Sequence, residues 1–259
     1  MSTQTRFIHL RTHTEYSLLE GALRVKKLPG MCAANDMPAV AITDSNNMFA
    51  ALEFSVTTSG AGIQPIIGCQ VDLTMPHDDP SGRTHPPAPA PVVLLAQREA
   101  GYENLMKLSS CLYVDSGGQL PQVSLDELAT HSDGLICLTG GPDGPMGRLL
   151  RMGQHPAAQA MMTRFHQIFA DRLYVELQRH PGEAGQPEAE RLTERPFIEM
   201  AYAMGIPLVA TNDVYFPKTE MYEAHDALIC IAEGAYVDQQ DGRRCLTPQH
   251  YFKTQQEMV

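Results

Sequence analysis

An α/β fold, closed or nearly closed into a barrel of about seven strand–helix units, is what the sequence predicts. Short apolar runs alternate with longer amphipathic stretches from one end of the 259 residues to the other. No obvious linker separates the halves, so one domain over residues 1–259 is expected. Polar residues able to bind or catalyse recur at the ends of the apolar runs, where the loops of a β/α barrel converge.

The first apolar run, residues 6–10, reads as a strand leading into His9, Arg11, His13, Glu15 and Glu20. These groups can hold a metal or a phosphate, or the histidines can simply satisfy backbone carbonyls. Residues 23–35 are amphipathic, 38–43 form a second strand ending at Asp44, 48–58 a helix closed by Gly60 and Gly62, and 63–73 a third strand. Strand, helix, strand, helix, strand predicts parallel pairing. Residues 76–91 hold six prolines and predict an exposed loop, with His77 and His85 in solvent.

A strand at 92–96 and a helix at 99–112 come next. Ser124-Leu-Asp-Glu127 is a capping box, since Ser124 can accept from the third backbone N–H while Glu127 reaches back. The strand at 134–139 empties into Gly140-Gly-Pro-Asp-Gly-Pro145, where glycine lets the backbone turn tightly. Then come a helix at 156–169, a strand at 173–177, a helix at 187–204, a strand at 207–211 ending in Asn212-Asp213, and a helix at 220–233. A second capping box, Thr254 to Glu257, starts a helix just as the sequence stops, which suggests the N-terminal piece of a longer chain.

Composition narrows the function. No apolar run approaches the roughly 18 to 20 residues of a membrane helix, and the N-terminus lacks a signal-peptide core, so a cytoplasmic location is expected. Six scattered cysteines without a C-x-x-C pair read as small core residues of a reducing compartment, not as a zinc site. A formal charge of −11 opposes any direct grip on DNA. At the predicted strand ends stand His13, Asp44, Gln70, the Gly140-Gly141 turn, His180 and Asp213, although Asp44 by itself reads as a helix cap.

Five ordered runs add a resemblance: His9-Leu-Arg-Thr-His-Thr-Glu-Tyr-Ser-Leu-Leu-Glu-Gly-Ala, Met37-Pro-Ala-Val-Ala-Ile-Thr-Asp44, Gly62-Ile-Gln-Pro-Ile-Ile-Gly68, Gly101-Tyr-Glu-Asn-Leu105 and Ala210-Thr-Asn-Asp213. Together they closely resemble the PHP (polymerase and histidinol phosphatase) domain at the N-terminus of bacterial DNA polymerase III alpha subunits. The resemblance implies a distorted seven-stranded, TIM-like (β/α)7 barrel, whose active members hold a cluster of metal ions through histidines and carboxylates. Such a cluster activates water against phosphate esters.

The chain departs from that pattern at Arg11, Ser45, Gln70, Pro91, Gly141 and Tyr215, where the family's ligands are expected. The resemblance leaves His13, Glu20 and Asp213 as the former metal-site set, enough for one residual zinc or manganese ion at most. Arg11 carries a permanent cation where a ligand is expected, and should pair with Glu20 or Asp213. On this reading no catalytic residue and no cofactor is expected, and the domain is a scaffold. Its implied partners are the rest of the polymerase alpha chain and the proofreading exonuclease epsilon subunit, while DNA is met by the parent protein. The alternative is a working metal-dependent phosphoesterase, either a 3′–5′ exonuclease or histidinol-phosphatase-like. A further reading keeps anion binding by Arg11 with the backbone amides of Gly140 and Gly141.

Overall fold

The computed structural model describes residues 7–77, 85–114, 120–182, 185–239 and 242–258. The fold is mixed α/β, with six strands in chain order: β1 (Ala39–Ile42), β2 (Gln64–Leu73), β3 (Ala90–Ala96), β4 (Leu135–Leu138), β5 (Leu173–Gln178) and β6 (Leu208–Thr211). The helices longer than five residues are α1 (Leu28–Ala34), α2 (Ala51–Gly60), α3 (Glu99–Val114), α4 (Leu125–Thr130), α5 (Pro145–Arg151), α6 (His155–Phe169), α7 (Glu188–Met204) and α8 (Tyr222–Glu233). No helix among the described residues is long and apolar enough to cross a membrane.

The contacts divide the chain into two compact units. The first comprises Met1–Gly68, Arg179–Pro187 and Thr211–Val259. Here β1 pairs in parallel with the start of β2, Ala39 opposite Gln64 and Ile42 opposite Ile67. Every residue of β1 is buried, as expected of a strand covered on both faces. Its core joins Leu23, Val25, Leu28, Val40, Phe54 and Phe252.

The strand expected at residues 6–10 does not form over its described part. The segment still bonds to β1, through Ala41 N–H to His9 O and Thr43 N–H to Thr12 O, at 2.8 Å each. Between them, side chains replace backbone partners: Thr12 N–H donates to the Thr43 hydroxyl at 3.0 Å, and the Thr12 hydroxyl to Ala41 O. Hydroxyls competing for ladder positions leave an extended chain with only isolated bridges, Thr12 to Val214 and Thr14 to Leu23. Among the described residues the strand count is six rather than seven.

The second unit comprises Cys69–Gln178 and Glu188–Ala210. It departs from all-parallel pairing, because β3 runs antiparallel to β4, Val93 opposite Leu138, while β4 and β5 are parallel. The expected loop at 76–91 ends sooner than its prolines suggest, since Ala90 and Pro91 belong to β3. Residues 85–89 are loop, and 78–84 lie outside the described residues.

Helix α6 shows how this unit fills its core. Ala158, Met162, Phe165 and Phe169 recur on one face and are all buried. The Ser124–Glu127 capping box is present in both directions, at 2.7 Å and 3.2 Å. Thr254 and Glu257 make the same exchange at 2.7 Å and 3.3 Å, ahead of the short helix α9 (Gln255–Met258).

Candidate functional site: a buried ion-pair cluster

The site forms in the first unit, where the extended N-terminal segment lies against residues 213–215. His13 N–H bonds to Val214 O at 2.8 Å, and Val214 N–H to Arg11 O at 3.1 Å. Pairing of these two segments brings together side chains some 200 positions apart in sequence. Asp213 takes a positive φ of 40°, a conformation that aspartate tolerates better than most residues.

Two buried histidines hold that turn. His180 Nε2 donates to Asn212 O at 2.6 Å and His250 Nδ1 to Asp213 O at 3.0 Å. Their rings stack with centroids 3.8 Å apart. Each ring carries a proton on the nitrogen that faces the carbonyl, and burial, followed by the neighbouring His180, pulls the His250 pKa well below the ordinary range.

Of the two carboxylates expected to face Arg11, the structure pairs it with Asp213. Arg11 Nε lies 2.8 Å from Asp213 Oδ1, both side chains being almost wholly buried. His13 Nε2 donates to the same oxygen at 3.0 Å. Burial alone would push the Asp213 carboxyl up, but the Arg11 charge and the His13 hydrogen bond outweigh it and hold the pKa well below the usual carboxylate range. The other nitrogen of His13, Nδ1, lies 3.4 Å from the hydroxyls of both Ser17 and Ser45, and its ring stacks on Tyr215 at 4.2 Å.

Glu20 is met by a different arginine. Its carboxylate accepts from the Ser45 hydroxyl at 2.9 Å and lies 3.5 Å from Arg244, whose Nη2 donates to the Tyr215 hydroxyl at 2.7 Å. The Arg244 guanidinium also sits 4.9 Å from the Tyr215 ring centroid. Arg244 was not singled out in the sequence. His225 was missed too; it donates to Glu20 O at 2.6 Å.

Asp44 is no helix cap. It accepts from Thr14 N–H at 2.6 Å, the Thr14 hydroxyl at 2.8 Å and the Ser17 hydroxyl at 2.6 Å, and so shapes the loop that carries Ser17 and Glu20. His9 stands apart, donating to Lys253 O at 2.8 Å. Glu15 is exposed.

Gly140 and Gly141 belong to the second unit. Packing there explains both: a Cβ on Gly140 would meet Pro91 O at 2.0 Å, and one on Gly141 would meet the Gln178 side chain at 2.9 Å. Both also have positive φ.

The donor set does not suit the metal cluster that the resemblance implies. The Arg11 guanidinium and the His13 Nε2–H both crowd the oxygen of Asp213 that would have to face a cation, the first as an ion pair and the second as a hydrogen bond. Among the described residues, no group of three or more His, Cys, Asp or Glu is placed to hold a metal ion.

Residues 9–180 match the PHP domain family. The chain is 46% identical over 255 residues to a protein named DNA polymerase III subunit alpha from Caulobacter vibrioides (strain NA1000 / CB15N), covering 97% of this chain and 21% of that one. It is 35% identical over 260 residues to the protein of the same name from Haemophilus influenzae (strain ATCC 51907 / DSM 11121 / KW20 / Rd), covering 100% and 21%. The chain thus spans about a fifth of the length of these curated relatives. Among solved structures, a candidate metal-dependent phosphoesterase from Bifidobacterium adolescentis shares the fold, with a TM-score of 0.53 at 12% identity, covering 81% of this chain and 87% of that one. With the family match extending over most of its length, this chain belongs to the PHP domain family.

Proposed function

We propose that this chain is the PHP domain of a DNA polymerase III alpha subunit, one domain over residues 1–259, and that it serves there as a non-catalytic scaffold. The identity to alpha subunits supports the first part. The second rests on one observation, the Arg11–Asp213 pair at 2.8 Å. A guanidinium stays charged at any working pH, so in a cluster built for cations it repels them and occupies the carboxylate that would bind them. Arg11, His13, Glu20 and Asp213 then act as an internal brace tying the N-terminal segment to residues 213–215.

On this reading the parent chain is a cytoplasmic DNA-directed DNA polymerase that makes its own DNA contacts elsewhere. This domain supports the polymerase region and docks the proofreading exonuclease epsilon subunit through protein surface, which suits its net charge of −11. The test is hydrolysis of a model phosphate ester, with and without added manganese. Rates at the buffer level support the scaffold. Manganese-dependent turnover lost in His13→Ala supports a phosphoesterase instead. Co-purification of the exonuclease with the full-length alpha chain, lost when residues 1–259 are removed, tests the docking role.

A further inference from the structure

In the second unit a cleft of about 760 Å³ opens beside α5 and α7, with Arg148, Arg151, Asp143, Glu188, Met152 and Leu192 in its lining. This volume falls within the roughly 300–1,000 Å³ of small-molecule sites. Most of its charges are already matched. Arg151 lies 2.8 Å from Asp143, and Glu188, largely exposed, lies 3.8 Å from Arg191.

Arg148 is different. Its Nε donates to Asp143 O at 2.8 Å and its Nη1 to Ala88 O at 2.7 Å, so both acceptors are neutral backbone carbonyls. No carboxylate forms an ion pair with it among the described residues. A guanidinium carries five N–H donors in a rigid fork. Those not taken by the two carbonyls are left on a half-buried cation at the cleft wall. Burial lowers the pKa of this group, against the opposing pull of the Asp143 and Asp72 charges nearby. Beside it, Met152 and Leu192 are 63% and 44% exposed, a soft apolar surface next to the charge.

We propose that this cleft binds a small organic oxyanion, a carboxylate or phosphate ester on an apolar body. The Arg148 fork takes the anionic oxygens, and Met152 and Leu192 cover the apolar part. The site involves none of the residues of the Arg11 cluster and does not depend on the reading given to it.

Titration of the 259-residue chain with phenyl phosphate, benzoate and inorganic phosphate tests this, followed by calorimetry and by the NMR signal of the Arg148 Nε–H. Saturable one-to-one binding of phenyl phosphate or benzoate is expected, with a shift of that signal, and whichever binds tighter identifies the class. Inorganic phosphate should bind more weakly, since it lacks the apolar part. Arg148→Met should weaken binding by about tenfold or more, the usual worth of a charge-assisted hydrogen bond. Glu188→Gln, which removes an exposed negative charge from the lining, should tighten it. If Arg148→Met fails to fold, Glu188→Gln decides: unchanged or weaker binding contradicts the proposal. Absence of saturable binding by both organic anions, full binding by a folded Arg148→Met chain, or inorganic phosphate binding as tightly as phenyl phosphate would each overturn it.

Discussion

Arg11 Nε and His13 Nε2 reach the same oxygen of Asp213, at 2.8 Å and 3.0 Å, so one carboxylate oxygen neutralises a buried guanidinium and orients a buried imidazole. The imidazole turns its other nitrogen toward two serine hydroxyls, which completes a chain of contacts from Arg11 to Ser45.

Removing one partner of such a pair should cost far more than removing both. Arg11→Met leaves an uncompensated carboxylate in the interior and should destabilise the chain by about 3 kcal/mol in urea denaturation. In the double variant Arg11→Met/Asp213→Asn, part of that loss should be recovered. A double variant as unstable as the sum of the singles would mean that the two residues do not act as a pair.

The depressed pKa of Asp213 sets an acid limit. Its folded value lies below the ordinary 3.8, so its stabilising contribution is present above about pH 4 and is lost as pH falls through the folded value. The stability difference between the native chain and Asp213→Asn should therefore be constant from pH 5 to 7 and shrink below pH 4. A difference that grows on acidification would contradict the assignment of charge.

His9 acts in the same sense but at higher pH. Burial, partly offset by its hydrogen bond to Lys253 O, lowers its pKa to about 4 from 6.5. The unfolded chain therefore binds a proton that the folded one refuses. The penalty is absent above about pH 6.5, grows as pH falls, and levels off near pH 4 at roughly 3 kcal/mol. Denaturation of His9→Gln across this range should show a shallower pH dependence than the native chain. His225 and His250, also with lowered pKa values, should retain part of the slope.

Gly21 follows Glu20 at a point where the chain doubles back on Thr14. A Cβ there would lie 2.0 Å from Thr14 O, a backbone atom that cannot swing aside. Gly21→Ala should cost about 1–3 kcal/mol and disturb the Thr14–Leu23 bridge, visible as faster amide exchange at Glu15, whose N–H donates to Leu23 O.

Most elements were legible because each is encoded locally. The alternation of apolar runs placed β1 to β6 within a few residues, and the Ser124 and Thr254 caps are written in four consecutive positions each. The errors have non-local causes. The segment before Thr14 looks like a strand, but the hydroxyls of Thr12 and Thr43 take ladder positions, a substitution visible only once the two residues meet. The reversal of β3 against β4 is a pairing between distant segments, which the local alternation of apolar runs does not encode.

The site divides in the same way. Arg11, His13, Glu20 and Asp213 were identifiable as a set only through the family resemblance, and the choice of Asp213 over Glu20 as the Arg11 partner needed the fold. Arg244, which lies beside Glu20 instead, sits in irregular chain with no motif around it. The histidine pair under Asp213 joins positions 180 and 250, a relation that no local pattern encodes.

The central claim is that a guanidinium has taken the place of metal in this cluster. The most direct measurement is the zinc and manganese content per chain after incubation with each metal and removal of free ions, for the native chain and for His13→Ala. The account requires content well below one ion per chain and no difference between the two proteins. One or more bound ions per native chain, lost in His13→Ala, would contradict it.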